Sequence, residues 1–392
     1  MRHKKHVTCR PIPCHALVVE RILDPIKYIE ISLCRVPLRH AVSDAKVLTG
    51  RQKPLSHVDM LTAEIETVNG EKGFGFSYSL RAGANAMLAH AKDIAGELIG
   101  EDPDDIGRLW EKMAWLGASV ARTGVAVQTI AAFDVALWDL KAKRAGKSIG
   151  KLLGAFRNDV PCYNTSGGYL NASLDEVIKN VERSLGRGLG GIKLKVGQPD
   201  LKKDIERVRA VRQHVGEGIP MMVDANQQWD YTTALRAGRQ LDDFGLVWLE
   251  EPLSAYDYEG HAKLSERLVT PIATGEMLSS VAECAELVKQ RSVTFMQADV
   301  PRVGGITPFL KISTLSDLAR LKLAPHFVME IHIHLGCAYP HEAWVEHIEW
   351  LEPAFNERLV IKVGRMLLPD RPGLGFSLSE QAQGWREGIQ RI

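Results

Sequence analysis

Three carboxylates recur at even intervals in the middle of this 392-residue chain. Asp224 stands in V-D-A-N, Glu250 and Glu251 in W-L-E-E-P, and Glu276 in T-G-E. Asp224 to Glu250 and Glu250 to Glu276 are each 26 residues. One strand, one helix and two loops use about that much chain in a βα repeat. If such repeats close into a barrel, the C-terminal strand ends surround one mouth, and the three carboxylates converge there. Like charges that close repel unless a cation sits among them. Hard carboxylate oxygens with no thiolate or imidazole beside them favour Mg²⁺. Spacing leaves open which glutamate of the E-E pair faces the mouth, because strand ends are uncertain by a residue or two.

Other groups fall in the same frame. Lys193 and Lys195 in G-I-K-L-K-V-G are two apart and face the same way on a strand. Each cation disfavours charge on the other, so one of them could be neutral near pH 7 and act as a base. Asn226 would point inward with Asp224. Asp299 and His326 are separated by 27 residues, again one βα unit. A carboxylate on a neighbouring strand could orient the imidazole and keep it charged. Glu346 lies on the last strand, whereas His332 and His334 in I-H-I-H-L read as structural.

These residues need a scaffold, and the pattern supplies one. Residues 29–37, 58–68 and 73–79 read as strands, the last two joined by the hairpin signal N-G-E-K-G. Residues 43–55 read as a long polar connection. Helices follow over 86–99, capped by Asn85 and stopped by Gly100, then from Asp102-Pro103 to Leu116, then over 126–144, ended by Gly146. Asp134 and Asp139 on the third helix read as structural or surface groups. From residue 160 the pattern becomes strand then helix, repeated. Candidate strands are 160–164, 191–196, 220–224, 246–250, 271–275, 295–299, 321–325 and a short one at 344–346, with helices such as 174–185 and 204–214 between them. Such alternation argues for parallel strands. No phosphate-cradling glycine motif follows a strand, which speaks against nucleotide folds.

Composition agrees with a globular protein. The chain is 45% hydrophobic and 25% charged, with a formal net charge of +1, so bulk basicity does not point to nucleic acid. No apolar run approaches a membrane span. Six cysteines (Cys9, Cys14, Cys34, Cys162, Cys284 and Cys337) lack zinc-type pairing and suggest reduced thiols in a cytoplasmic protein. Residues 1–25 are basic and broken by prolines, without a signal-peptide core, and read as a loose arm.

Taken together and in order, K-L-K, D-A-N, E-E-P, G-E, Asp299, His326 and Glu346 resemble the enolase superfamily, mandelate racemase subgroup. The resemblance runs from about Ile29 to the C-terminal tail. It implies an α/β fold: a (β/α)7β modified TIM barrel over 151–351, with an N-terminal α+β capping domain over 26–150 completed by 352–392. It also implies that Asp224, Glu250 and Glu276 bind Mg²⁺, with Glu251 behind them. Lys195 would remove the proton beside a substrate carboxylate, and Lys193 would hold that carboxylate. His326, oriented by Asp299, would work from the opposite face, and Glu346 would hydrogen-bond the carboxylate as an enediolate forms. Homo-oligomers, octamers or dimers, are expected by the same resemblance. The segments V-S-D-A-K-V-L-T-G-R-Q-K-P-L, F-S-Y-S-L-R-A-G, C-Y-N-T-S-G-G and D-V-P-R-V-G-G-I further resemble dehydratases of the six-carbon aldaric acids L-talarate and galactarate. Lys46 and Arg81 would then meet the distal carboxylate, Asp44 would accept from hydroxyls, and Asn226 would line the site. Leu80 departs from this scheme, since a second basic residue there would suit a diacid. Another acid-sugar dehydratase or racemase, or an acid-sugar binding protein without catalysis, are the rival readings.

Overall fold

A computed structural model describes residues 24–119, 122–165 and 168–392. The arm expected over 1–25 lies outside these residues apart from its last two, and so do Cys9 and Cys14. The four cysteines that are described are buried free thiols.

The chain opens with three antiparallel strands, β1 (Ile26–Val42), β2 (Leu55–Thr67) and β3 (Lys72–Leu80). A strand from the C-terminal end, Arg386–Arg391, adds to the free edge of β1 and makes a four-stranded sheet. The helix Val125–Arg144 lies across this sheet. Its approach depends on Gly73 and Gly75 of β3, where a Cβ would sit 2.2 Å and 2.1 Å from the carbonyl oxygens of Ala136 and Ala132. The helix is buried on nearly all sides, so its acids had to find partners. Asp139 accepts from the backbone N–H of Phe74 (2.8 Å) and of Leu374 (2.6 Å) and pairs with Lys143. Asp134 accepts from the N–H and hydroxyl of Thr307, and burial pushes its carboxyl up to about 7. Both are structural, and neither is at the surface.

Local signals misplaced two helix starts. The helix Ala84–Leu98 begins after Gly83, in the left-handed region, and Asn85 lies inside it rather than capping it. Asp102-Pro103 makes a turn closed by the Asp104 N–H on the Asp102 carboxylate, and the helix starts at Ile106. The polar connection before β2 also holds a short helix, Ala45–Leu48, capped by Asp44.

From Asp159 the chain builds eight parallel strands: β4 (Asp159–Asn164), β5 (Gly191–Lys195), β6 (Met221–Asp224), β7 (Leu249–Glu250), β8 (Ile272–Thr274), β9 (Phe295–Met296), β10 (Lys322–Leu323) and β11 (Val345–His347). Each of β4 to β10 is followed by helix. The strands pair in chain order. β11 then pairs with β4, and the Leu323–Ala343 bridge joins its approach to β10, so the sheet closes. Several paired stretches are shorter than the apolar runs that announce them. Tilted neighbours overlap for only a few residues, and the remainder leaves the ladder as loops toward the mouth. Inside, Tyr163, Met222, Trp248, Ala273, Phe295, Ala324 and Trp344 form an apolar layer that fills the barrel. Outside, residues such as Val177, Val181, Val208 and Val211 seat the helices on the strands. No helix among the described residues is long and apolar enough to cross a membrane.

Candidate active site

The charged residues sit above that apolar layer, at the C-terminal strand ends. Lys195, Asp224 and Glu250 end β5, β6 and β7, and Glu276 follows β8 by two residues. One oxygen from each of Asp224, Glu250 and Glu276 lies within 4.8 Å of the others, and all three residues are buried. Their backbones explain how they converge. Asn226, Gln227 and Glu251 have φ of 44°, 63° and 38°, so the chain turns sharply just past β6 and β7. Left-handed backbone at non-glycine residues is uncommon and concentrates at functional sites. Past this turn the Glu251 side chain accepts from the Gln227 amide. Glu250 is the member of the E-E pair with an oxygen grouped with those of Asp224 and Glu276.

Glu250 is clamped on both oxygens. Oε2 accepts from the Trp248 indole (2.9 Å) and the Gln297 amide (2.7 Å), and Oε1 accepts from Lys193 Nζ (2.6 Å). Burial still pushes its carboxyl up to about 7, against the pull of Lys193. Asp224 accepts from the backbone N–H and side-chain amide of Asn226 and from Lys195. Glu276 faces His326 Nε2 at 3.7 Å and Arg302 at 3.6 Å. Burial would raise its pKa, but the charges of those two neighbours hold it well below the carboxylate range. A divalent ion fits this set: three hard anionic oxygens, rigidly held, converging where water is largely excluded.

The lysine pair differs from expectation. The two ammoniums do not neutralise one another, because each has its own carboxylate. Lys193 bridges Glu250 and Glu346 (2.6 and 2.9 Å), and Lys195 pairs with Asp224. Burial alone would lower both pKa values, yet the carboxylates beside them raise both. Glu346 accepts from Lys193, Thr165 Oγ1 (2.5 Å) and the Phe327 N–H (3.0 Å). Burial is outweighed by Lys193 and its other partners, and its pKa falls to about 2. These contacts hold it against Lys193 at the cavity wall.

His326 and Asp299 meet as the spacing implies, with Nδ1 2.9 Å from Oδ2. Nε2 is left as the ring atom directed toward Glu276 and the cavity. Asp299 also caps the turn Val300–Val303 through the Arg302 N–H. His332 and His334 lie on the helix Met329–Ala338, buried, with pKa values lowered by burial to about 4, as structural histidines would be.

A cavity of about 420 Å³ joins this cluster to β3 and the loops before it. Lys193, Lys195, Asn226, Glu276, His326 and Glu346 line it from the barrel side, and Asp44, Lys46 and Arg81 line it from the other. Asp224, Glu250 and Asp299 stand behind its wall. Asp44 spends Oδ1 on the N–H groups of Lys46 and Val47, and its Oδ2 lies 3.8 Å from Arg81. Arg81 donates from Nε to the Lys53 carbonyl (2.8 Å), which leaves the rest of its fork facing the cavity. Sequence reasoning missed Tyr78, Thr165 and Arg302, which also line it. Tyr78 shares the F-S-Y-S-L-R stretch with Arg81, and Arg302 follows Asp299 by three, but single residues of these types carry no positional signal.

The chain is similar in sequence and fold to known proteins. Residues 176–382 match the family model described as "Enolase C-terminal domain-like", and residues 49–154 match "Mandelate racemase / muconate lactonizing enzyme, N-terminal domain". The chain is 57% identical over 364 residues to the L-talarate/galactarate dehydratase of Salmonella typhimurium, covering 93% of this chain and 92% of that protein. A crystal structure of that Salmonella enzyme, liganded with Mg and L-lyxarohydroxamate, superposes with a TM-score of 0.94 at 54% identity, over 100% of this chain and 99% of the other. An L-talarate dehydratase from Polaromonas sp., complexed with Mg and L-glucarate, gives a TM-score of 0.92 at 58% identity, over 94% and 99%.

Proposed function

The chain belongs to the mandelate racemase / muconate lactonizing enzyme family of the enolase superfamily, and from that premise we propose that it is a Mg²⁺-dependent acid-sugar dehydratase acting on L-talarate, galactarate or both. The observation that carries this reading is the cluster of three buried carboxylates beside a cavity of about 420 Å³ that Glu276, Lys195 and His326 line. Two solved relatives are acid-sugar dehydratases complexed with Mg.

Asp224, Glu250 and Glu276 hold the ion. When bound, Mg²⁺ would offset the charge of the carboxylates beside the lysines and supply positive charge to the substrate carboxylate. Lys193, fixed by Glu346, holds that carboxylate. Lys46 and Arg81 face the other end of the cavity and receive the distal carboxylate, and Asn226 lines the near wall. Lys195 takes the α-proton, breaking C–H and leaving an enediolate. A proton beside a carboxylate is very weakly acidic, so concentrated positive charge is needed to lower the barrier. His326 gives its Nε2 proton to the β-hydroxyl, C–O breaks, and water leaves. The enol then tautomerises to a keto-deoxy aldarate. Protonation of the enediolate from the His326 face instead gives the epimer.

Lys195→Ala tests the assignment of the base. It should abolish incorporation of solvent deuterium at the α-carbon while leaving Mg²⁺ binding in place. A variant that still exchanges through Lys195's side of the substrate would overturn it.

A further inference from the structure

Tyr78 reaches the acid side of the site from outside the barrel. It lies on β3, is buried to 1% exposure, and donates its hydroxyl to Asp299 Oδ2 at 2.6 Å. That is the same oxygen His326 Nδ1 meets at 2.9 Å, and the Tyr78 hydroxyl lies 3.4 Å from Nδ1 itself. The ring is fixed independently. It stands edge-on to Phe327, with centroids 4.7 Å apart at 87°, and the Arg302 guanidinium lies 5.8 Å from its centroid. Phe327 follows His326 directly, has φ 64°, and gives its N–H to Glu346. Asp299 Oδ1 is taken by the Arg302 N–H. One oxygen of a fully buried carboxylate is thus shared between a phenol from the first sheet and the imidazole from the barrel.

We propose that Tyr78 is a positioning residue for proton delivery: its hydroxyl, by holding Asp299 Oδ2, fixes the His326 ring so that Nε2 points at the leaving hydroxyl. The inference deepens the dehydratase reading and rests on it. One consequence follows from the geometry. Sharing Oδ2 fixes the direction of the carboxylate, so the imidazole has one orientation instead of a swing about Cα–Cβ. Lys195 pairs with Asp224, and the Tyr78 hydroxyl meets only Asp299 and His326, so α-proton removal does not depend on this hydroxyl. The acid becomes competent only when β3 is docked on the barrel mouth, the same sheet region that supplies Arg81.

Tyr78→Phe separates the two half-reactions. It keeps the ring against Phe327 and removes only the donor. With Mg²⁺ and galactarate or L-talarate in deuterated water, keto acid formation should fall roughly 10–100-fold, taking the loss of an outer hydrogen-bond partner of a metal ligand as the guide. KM should stay unchanged. Deuterium incorporation into recovered aldarate should persist, so the ratio of exchange to elimination should rise by a similar factor. Exchange itself needs a folded site, so the ratio reads only folded molecules, even if the variant is less stable. Elimination at the wild-type rate, or exchange and elimination falling in parallel, overturns the assignment. A wild-type protein that neither exchanges nor eliminates overturns the dehydratase reading, and this inference with it.

Discussion

Replacing Gly75 by alanine should damage both stability and turnover, although the residue touches no substrate. A Cβ at Gly75 would lie 2.1 Å from the Ala132 carbonyl oxygen and 2.4 Å from the Ala136 nitrogen. Ordinary contact begins at 3.4 Å, so relief at the oxygen requires 3.4 less 2.1, or 1.3 Å, of movement. Both obstructing atoms are backbone, so no rotamer change can absorb it. Either β3 or the helix Val125–Arg144 must shift, and overpacking of this kind costs about 1–3 kcal/mol. Tyr78 is three residues further along β3, and its 2.6 Å bond to Asp299 has little slack. A shift of about 1 Å would stretch it past hydrogen-bonding range. Misplacement of that size near a reacting centre costs on the order of 10²-fold in rate. The assay pairs urea unfolding midpoints with kcat for aldarate dehydration. Gly96→Ala is the matched control: it is an exposed helical glycine with nothing within 4 Å of a Cβ. That change should stabilise by about 0.5–1 kcal/mol and leave the rate alone. Wild-type stability and kcat in Gly75→Ala would refute the claim that close packing of β3 on the helix positions the site.

Glu330, on the helix after His326, is buried, and that burial pushes its carboxyl up from 4.5 to about 8. The folded state therefore keeps a proton that the unfolded chain has already released. Its contribution is fully present below pH 4.5 and is lost as pH rises through about 8, with a ceiling of about 5 kcal/mol. Glu330→Gln should match wild type in urea midpoint at pH 5 and exceed it at pH 8.5; parallel pH profiles would count against the assignment. Mg²⁺ at a hundredfold excess over its Kd should stabilise the protein by about 2.7 kcal/mol relative to chelator-treated protein. Glu250→Gln should abolish most of that shift, and a variant that still responds fully to Mg²⁺ would remove Glu250 from the ligand set.

The site was legible in the sequence because a βα repeat converts chain distance into angular position. Intervals of 26, 26, 23 and 27 residues place Asp224, Glu250, Glu276, Asp299 and His326 at or just past successive strand ends, and there the structure puts them. The partners of these residues were less legible. Spacing treats Lys193 and Lys195 as two neighbouring cations, but β6, β7 and β11 each bring a carboxylate to them, and those long-range pairs decide their charge. The contacts of Glu346 with Lys193, Thr165 and Phe327 were likewise invisible in the spacing. Tyr78 was invisible for the same reason: its partner Asp299 is 221 residues away, on the other sheet. Helix starts failed where a local cap competed with backbone geometry. Gly83 can adopt the left-handed entry that Asn85 would have had to replace, and Asp102 closed a turn before the helix began.

The central claim is that one cavity removes an α-proton and then a β-hydroxyl from an aldarate in the presence of Mg²⁺. Proton NMR of galactarate and L-talarate with the protein and Mg²⁺ in deuterated water tests it most directly. At least one aldarate should disappear, a keto-deoxy product should grow, and deuterium should enter the carbon that gave up its proton. Both aldarates remaining intact and fully protonated, with Mg²⁺ bound, would contradict it.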